Sequence, residues 1–401
     1  MNVLFLTVAN LKSITDHNIY SDLLRQFRNN GHKVYVVSPR EKKLNLPTEY
    51  VSENGVNFLR VKIGNITKTN VLEKGISTLM IEGTILRAIR KYLSNVNFDL
   101  VIYSTPPITF GKVISFIKKK DNATSYLLLK DIFPQNAIDL GMFKKDGMIY
   151  KYFRAKEKLL YDQSDFIGCM SKANVDFVLR DNPEVSPKIV EVCPNSIEPL
   201  TIESDITKKI KIKKKYNIPL DKTVFIYGGN LGKPQGIDFL IECLKVNKEN
   251  EQVYFIIAGS GTEFSKLKSF FESEKPSNAQ LFNQLPKEDY EILANSCDVG
   301  LIFLDKRFTI PNFPSRVLSY MQASIPVLAA TDVNTDIGKV IEQGQFGFWC
   351  ESGDVEQFSN NLRKLCNKEI RKKMGHNGRM YLEDNYTVKN SYEIIMSHFK
   401  S

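Results

Sequence analysis

The chain has 401 residues, 42% of them apolar and 25% charged, proportions that exclude a largely disordered protein and suit two or three folded domains. Its 55 Lys+Arg against 45 Asp+Glu give a net charge of +10, which calls for an anionic partner: nucleic acid, a phosphorylated ligand or a membrane surface. Residues 1–200 hold 28 of the basic and 20 of the acidic residues, so the long-range pull on anions belongs mostly to the first half. The six cysteines show no CxxC spacing and the four histidines no HExxH, which argues against a disulfide frame or a hydrolytic metal centre.

The chain opens on a strand-like run, Val3 to Val8, without the basic and apolar regions of a secretory leader. No run of eighteen apolar residues is present to span a bilayer. Strands are expected near 2–8, 33–38, 57–63, 98–105, 124–131, 166–171 and 189–193, with helical patterns over 18–30, 71–93 and 108–120. Runs such as Val34 to Val37 and Leu100 to Tyr103 are continuously apolar, which suits parallel strands covered on both faces. A linker follows, and its six lysines within 208–215 read as a solvated helix face.

The grammar then restarts. Thr223 to Tyr227 reads as a strand, 236–248 as a helix, and further strands fall at 253–258, 279–283, 298–304 and 326–330. The expected architecture is α/β, two doubly wound parallel-sheet domains over residues 1–197 and 198–384. The last segment, 385–401, is helical in pattern and free to pack back on the first domain.

Chemistry concentrates at strand exits of the second half. Gly228-Gly229-Asn230-Leu231-Gly232-Lys233 leaves a buried strand, and glycines there let backbone approach a phosphate; Pro234 suits a helix start. Gly259-Ser260-Gly261 leaves the next strand in the same way. In Phe313-Pro314-Ser315-Arg316, Ser315 is placed to cap a helix. Arg316 in its first turn opposes the helix dipole, a placement that makes sense around a shared anion. Neither GxGxxG nor GxxxxGK[ST] occurs, which disfavours a dehydrogenase or a P-loop ATPase.

These segments, together with Gly31-His32-Lys33-Val34, Lys130-Asp131-Ile132-Phe133-Pro134-Gln135-Asn136, Pro194-Asn195-Ser196-Ile197 and the stretch 313–330, give the whole chain a resemblance. It resembles the family 4 retaining glycosyltransferases, of GT-B fold. Within them it is similar to the transferases of bacterial O-antigen and capsular polysaccharide, including proposed N-acetyl-L-fucosaminyl transferases. The resemblance implies two Rossmann-like domains facing a cleft. It implies transfer of a sugar from a UDP-sugar to an undecaprenyl-diphosphate-linked saccharide, with no cofactor and no metal.

By the same resemblance, Gly229, Asn230, Lys233, Gln235, Gly259 and Arg316 would hold the donor diphosphate, with Lys233 and Arg316 acting in catalysis. Leu285 would pass the nucleobase, and Pro314, Ser315 and Ser319 would line the rest of the donor. Asp131 would serve as a catalytic group from the acceptor side, where His17 also lies, unless His17 joins Asp16 and Asn18 in capping the first helix. Asn230 and Gln235 stand where the family commonly has Arg and Lys, and Pro311 and Ser319 where it often has two glutamates.

The basic first half then suits a cytoplasmic protein held peripherally on an anionic membrane face, with 71–93 as a candidate contact through Leu72, Ile76, Leu79, Leu86, Ile89 and Leu93. Two other classes compete. A GT-B-fold UDP-sugar epimerase would need acids and a histidine converging on the sugar, a set the sequence does not offer. A nucleic-acid-binding protein is suggested by charge alone, without a recognisable motif, so no nucleic acid is expected as partner.

Overall fold

The computed structural model describes residues 1–67, 69, 71–201 and 205–399, without the side chains of 71, 72 and 74. Contacts divide the chain into two units, Met1–Glu198 with Thr387–Ser401, and Pro199–Tyr386.

The first unit is built on eight strands: β1 Asn2–Leu6, β2 Lys33–Glu41, β3 Glu49–Glu53, β4 Val56–Ile63, β5 Leu100–Ser104, β6 Thr124–Leu129, β7 Phe166–Cys169 and β8 Val190–Val192. Their order is β3-β4-β2-β1-β5-β6-β7-β8. All pairs are parallel except β3–β4, a hairpin with Asn54 and Gly55 both at positive φ. The apolar runs form the inner strands because helices cover both faces; every residue of β5 is buried. β3 was not expected from the sequence. Its Glu49-Tyr50-Val51-Ser52-Glu53 alternates partly buried with exposed positions on the sheet's edge, where charge blunts pairing with other chains.

The chain's last helix, Val388–Ser397, belongs to this unit. Val388 and Ile395 are buried in the cluster that holds Phe5, Leu24, Phe27 and Tyr126. Thr387 bridges to Ile197, and Ser391 Oγ bonds Ser196 Oγ at 2.7 Å.

The second unit has six strands: β9 Thr223–Asn230, β10 Val253–Ser260, β11 Ala279–Phe282, β12 Val299–Phe303, β13 Val327–Thr331 and β14 Gly347–Glu351, the last also unexpected. They are ordered β11-β10-β9-β12-β13-β14, all parallel. Strand order reverses between β9 and β12, the switch point at which open α/β sheets bind ligands. Only two residue pairs join these strands, Val299–Phe225 and Gly300–Ile226, so they splay apart towards their carboxyl ends.

The lysine-rich segment forms the helix Ile206–Lys215, capped by Asp205 and held by buried Ile212, with most lysines in solvent. The helix Val71–Tyr92 does not present one continuous apolar face outward. Ile89 and the following Leu93 are buried, whereas Ile76 and Leu79 are exposed; the side chain of Leu72 lies outside the described residues. No helix among the described residues is long and apolar enough to cross a membrane. The cysteines are free, five of them buried.

Candidate functional site

In the second unit the switch point is lined by the exits of β9 and β12. The β9 exit carries Gly228 to Gly236, and Asp305, just past β12, donates its N–H to Pro234 O at 3.0 Å, tying the two loops together. Tyr320 fills the splay beneath them: its hydroxyl lies 3.1 Å from Ile226 O and 3.2 Å from Leu301 O. Its ring packs so tightly on Gly300 that a Cβ there would come within 2.3 Å.

Arg316 lies in this crevice rather than on the surface. Its guanidinium carbon sits 4.2 Å from the centre of the Tyr227 ring. Nη2 presses on Gly229, where a Cβ would lie 2.6 Å away, so only glycine, here at φ +131°, admits it. Nη1 is buried without a hydrogen-bond acceptor. A cation over an aromatic face is stabilised by about 1–2 kcal/mol when desolvated, which offsets only part of the cost of burying it. The remaining demand is for an anion, and an oxygen at Nη1 would meet it. Neither Tyr227 nor Tyr290 stands out in the sequence; the Tyr290 hydroxyl occupies the space a Cβ on Gly228 would need, at 1.7 Å. Burial raises the Tyr290 phenol above its ordinary value against the opposing pull of Arg316, so it remains a donor. The Gly228-Gly229 pair was the available signal: two adjacent residues without Cβ mark a close approach from both sides.

Several expectations are corrected in this unit. Ser315 does not cap: it is itself in the right-handed helical conformation, and its side chain makes no cap bond to the helix Arg316–Gln322. Pro234, expected at a helix start, sits in a 3-10 turn rather than in the α-helix itself. Lys233–Gln235 is a single 3-10 turn, and the α-helix begins at Ile237 after Gly236 at φ +53°. Asn230 and Gln235 are engaged with each other, Asn230 Nδ2 donating to Gln235 Oε1 at 3.1 Å, and the same oxygen accepts from Gly232 N at 3.3 Å. The two amides therefore hold the loop's shape. Lys233 and Ser319 are exposed, Pro314 and Leu285 half-buried, and Gly259 lies beside Gly229 in the β10–β9 ladder.

The remaining candidates lie in the first unit. Asp131 follows β6, where Thr105 Oγ1 accepts from the N–H groups of Lys130 (2.9 Å) and Asp131 (3.1 Å) and fixes the strand exit. Asn136 Nδ2 donates to Asp131 Oδ1 at 2.8 Å. Burial nevertheless dominates and pushes the carboxyl up from 3.8 to about 6, the Asn136 and Ile132 hydrogen bonds opposing it. His17 is half-exposed and is not the cap of the first helix; Asn18 is, accepting from Tyr20 N and Ser21 N. Arg25 Nη2 lies 2.9 Å from His17 Nδ1 and also binds Asp22 and Glu198. His17, Asp22 and Glu198 are the one group among the described residues with the spacing to hold a metal ion, and Arg25 already fills its centre.

Residues 208–381 match the family described as glycosyl transferases group 1. Over 301 residues the chain is 23% identical to the probable glycosyltransferase WbjE of Pseudomonas aeruginosa, covering 74% of this chain and 72% of that one. It is 25% identical over 271 residues to the capsular polysaccharide biosynthesis glycosyltransferase CapM of Staphylococcus aureus, 63% and 66% of the two chains. Among solved structures, Anabaena Alr3699/HepE, determined in complex with UDP and glucose, superposes with a TM-score of 0.71 at 14% identity, over 100% of this chain and 99% of that one.

Proposed function

We propose that this chain, whose fold matches that of solved glycosyltransferase-type structures, is a glycosyltransferase that moves an N-acetylated amino sugar from a UDP-sugar to an undecaprenyl-diphosphate-linked saccharide, with retention at the transferred carbon. The observation that carries the donor side is Arg316, a half-buried cation whose buried Nη1 lacks an acceptor at the switch point of the second sheet. Support for UDP comes from HepE, solved with that nucleotide, and for polysaccharide assembly from the name of CapM. The amino-sugar reading follows from the resemblance to N-acetyl-L-fucosaminyl transferases.

Breaking the sugar–phosphate bond leaves charge on the departing diphosphate. Arg316, held over the Tyr227 ring with its Nη1 out of solvent, stabilises that charge more in the transition state than in the bound donor, and exposed Lys233 closes over it. Gly229 and Gly259 keep the loop flat enough for the phosphates to reach Arg316. Asn230 and Gln235 set its shape, Pro314 and Ser315 flank the diphosphate, Ser319 faces the ribose and Leu285 the base. The leaving phosphate assists deprotonation of the acceptor hydroxyl, which Asp131 orients on the first unit, where His17 also lies. The basic first half keeps the enzyme at the anionic cytoplasmic face of the membrane, on which a lipid-linked acceptor resides.

The test is incubation with a panel of UDP-sugars, with and without membrane extract. Incorporation of label into lipid is the expected result. Release of an epimerised UDP-sugar without acceptor would assign the epimerase chemistry instead and overturn the transfer reading.

Asp131 makes a second, pH-dependent prediction. Its carboxyl ionises near 6, so kcat/KM for the acceptor should fall as the pH drops below about 6, and Asp131→Asn should flatten that limb. Stability moves the opposite way. A folded-state value raised above 3.8 means that ionisation opposes folding, so this group's favourable contribution, complete below 3.8, is lost as the pH rises through 6. Asp131→Asn should thus be more stable than the parent by about 2–3 kcal/mol at pH 8 and equal to it at pH 3.5, read from urea midpoints.

A further inference from the structure

Exposed apolar side chains gather on two neighbouring helices of the first unit. On Val71–Tyr92 they are Ile76, Leu79 and Met80; on and before Met148–Asp162 they are Met142, Met148 and Ile149, each more than half exposed and Met148 at 89%. Glu82 and Lys156 form an ion pair at 3.3 Å that makes the two helices neighbours, and all six side chains precede it in their elements. Both helices follow parallel strands and lead into the next one, so their first turns lie at the carboxyl edge of the sheet, where Asp131 leaves β6.

An aromatic cluster connects that strand exit to the apolar group. Phe133, two residues past Asp131, packs on Phe143 (5.9 Å) and Phe153 (4.9 Å), which lie within the same 142–153 stretch as Met142, Met148 and Ile149. The surface around them is basic: residues 142–156 carry five basic residues and one acid, with Lys144, Lys145 and Lys151 exposed. A packed monomer gains nothing by exposing so many flexible apolar side chains together. Ringed by lysines, they match one occupant in both respects, a bilayer whose headgroups are anionic and whose acyl region lies just beneath.

We propose that this patch, Ile76 to Met80 together with Met142 to Ile149, inserts into an anionic lipid bilayer and brings the Asp131 strand exit to the headgroup level. The proposal rests on the membrane reading above and gives it a location. The buried Ile85, Ala88 and Ile89 of the second half of Val71–Tyr92 take no part, and the contact includes a stretch, 142–149, that lies outside that helix.

The experiment is co-sedimentation of the full chain with vesicles of phosphatidylcholine, with and without phosphatidylglycerol. Three proteins are compared: the parent, Met142→Ser/Met148→Ser/Ile149→Ser, and Lys144→Glu/Lys145→Glu/Lys151→Glu. The parent should bind only the phosphatidylglycerol vesicles. Each triple variant should bind them at least roughly tenfold more weakly while retaining the parental urea-unfolding profile, which reports an intact fold. Failure of the parent to bind any vesicle would overturn the membrane reading and this proposal with it. Parental binding by both variants would leave membrane association standing and overturn the patch alone. Loss of a concentration-dependent dimer in the apolar variant, with vesicle binding unchanged, would assign the face to a second copy and likewise overturn it.

Discussion

Arg316→Ala is expected to lower kcat/KM for the UDP-sugar by at least roughly tenfold, with the loss in both kcat and UDP affinity. The guanidinium is placed by features that serve no other evident end: the Tyr227 face 4.2 Å beneath its carbon, Gly229 stripped of a Cβ beside Nη2, and Nη1 left without an acceptor. Alanine removes all the charge and vacates the crevice, whereas the packing lost is one side chain over one ring, so thermal unfolding should shift by only a few degrees. Arg316→Lys should fall between the two, because an ammonium restores charge but not two nitrogens in a fixed plane. Initial rates with varied donor and calorimetry with UDP measure these effects. Parental kinetics in Arg316→Ala would remove this residue from the site.

Gly259→Ala should be the most damaging single methyl in the second unit. Gly259 lies opposite Gly229 in the parallel β10–β9 ladder, and a Cβ on it would stand 1.8 Å from Gly229 O, a backbone atom that no side-chain rotation can clear. Either the ladder opens or the Gly229 exit moves, and Arg316 leans on that exit. A loss of about 3 kcal/mol or more is expected, with UDP binding weakened beyond what partial unfolding explains. The matched control is Gly75→Ala, where nothing lies within 4 Å of a Cβ and the residue is helical. That change should be neutral or stabilising by up to about 1 kcal/mol. Urea unfolding of both variants gives the comparison, and equal midpoints would refute the steric account.

The parallel strands were legible because burial on both faces writes itself as unbroken apolar runs, as in β2 and β5. β3 has one wet edge and little apolar content, so its signal was the turn instead: Asn54-Gly55, at φ 50° and 75°, is the pair a tight hairpin needs. Arg316 could be picked out because a cation in a helix's first turn contradicts the local dipole, and a contradiction of that kind points to a partner outside the helix. Tyr227 and Tyr290 carry no such contradiction. Each reads as an ordinary apolar position in its own element, and their meeting around Gly228 and Arg316 is a product of β9 and β12 separating, which no local pattern encodes. Ser315 failed as a cap for a related reason. Cap chemistry assumes an extended residue before the helix, and the turn after Phe313-Pro314 already has the helical conformation at 315.

The helix Val388–Ser397 has a bearing on how the protein is made. Val388 and Ile395 fill a cluster otherwise drawn from the first two hundred residues, and Ser391 and Thr387 hydrogen-bond or bridge to 196 and 197. On the ribosome, the N-terminal unit therefore waits with an open apolar seam while nearly two hundred intervening residues are synthesised and fold on their own. Only when the last turn emerges can the first-made half close, so the two halves finish in the reverse of the order in which they are translated.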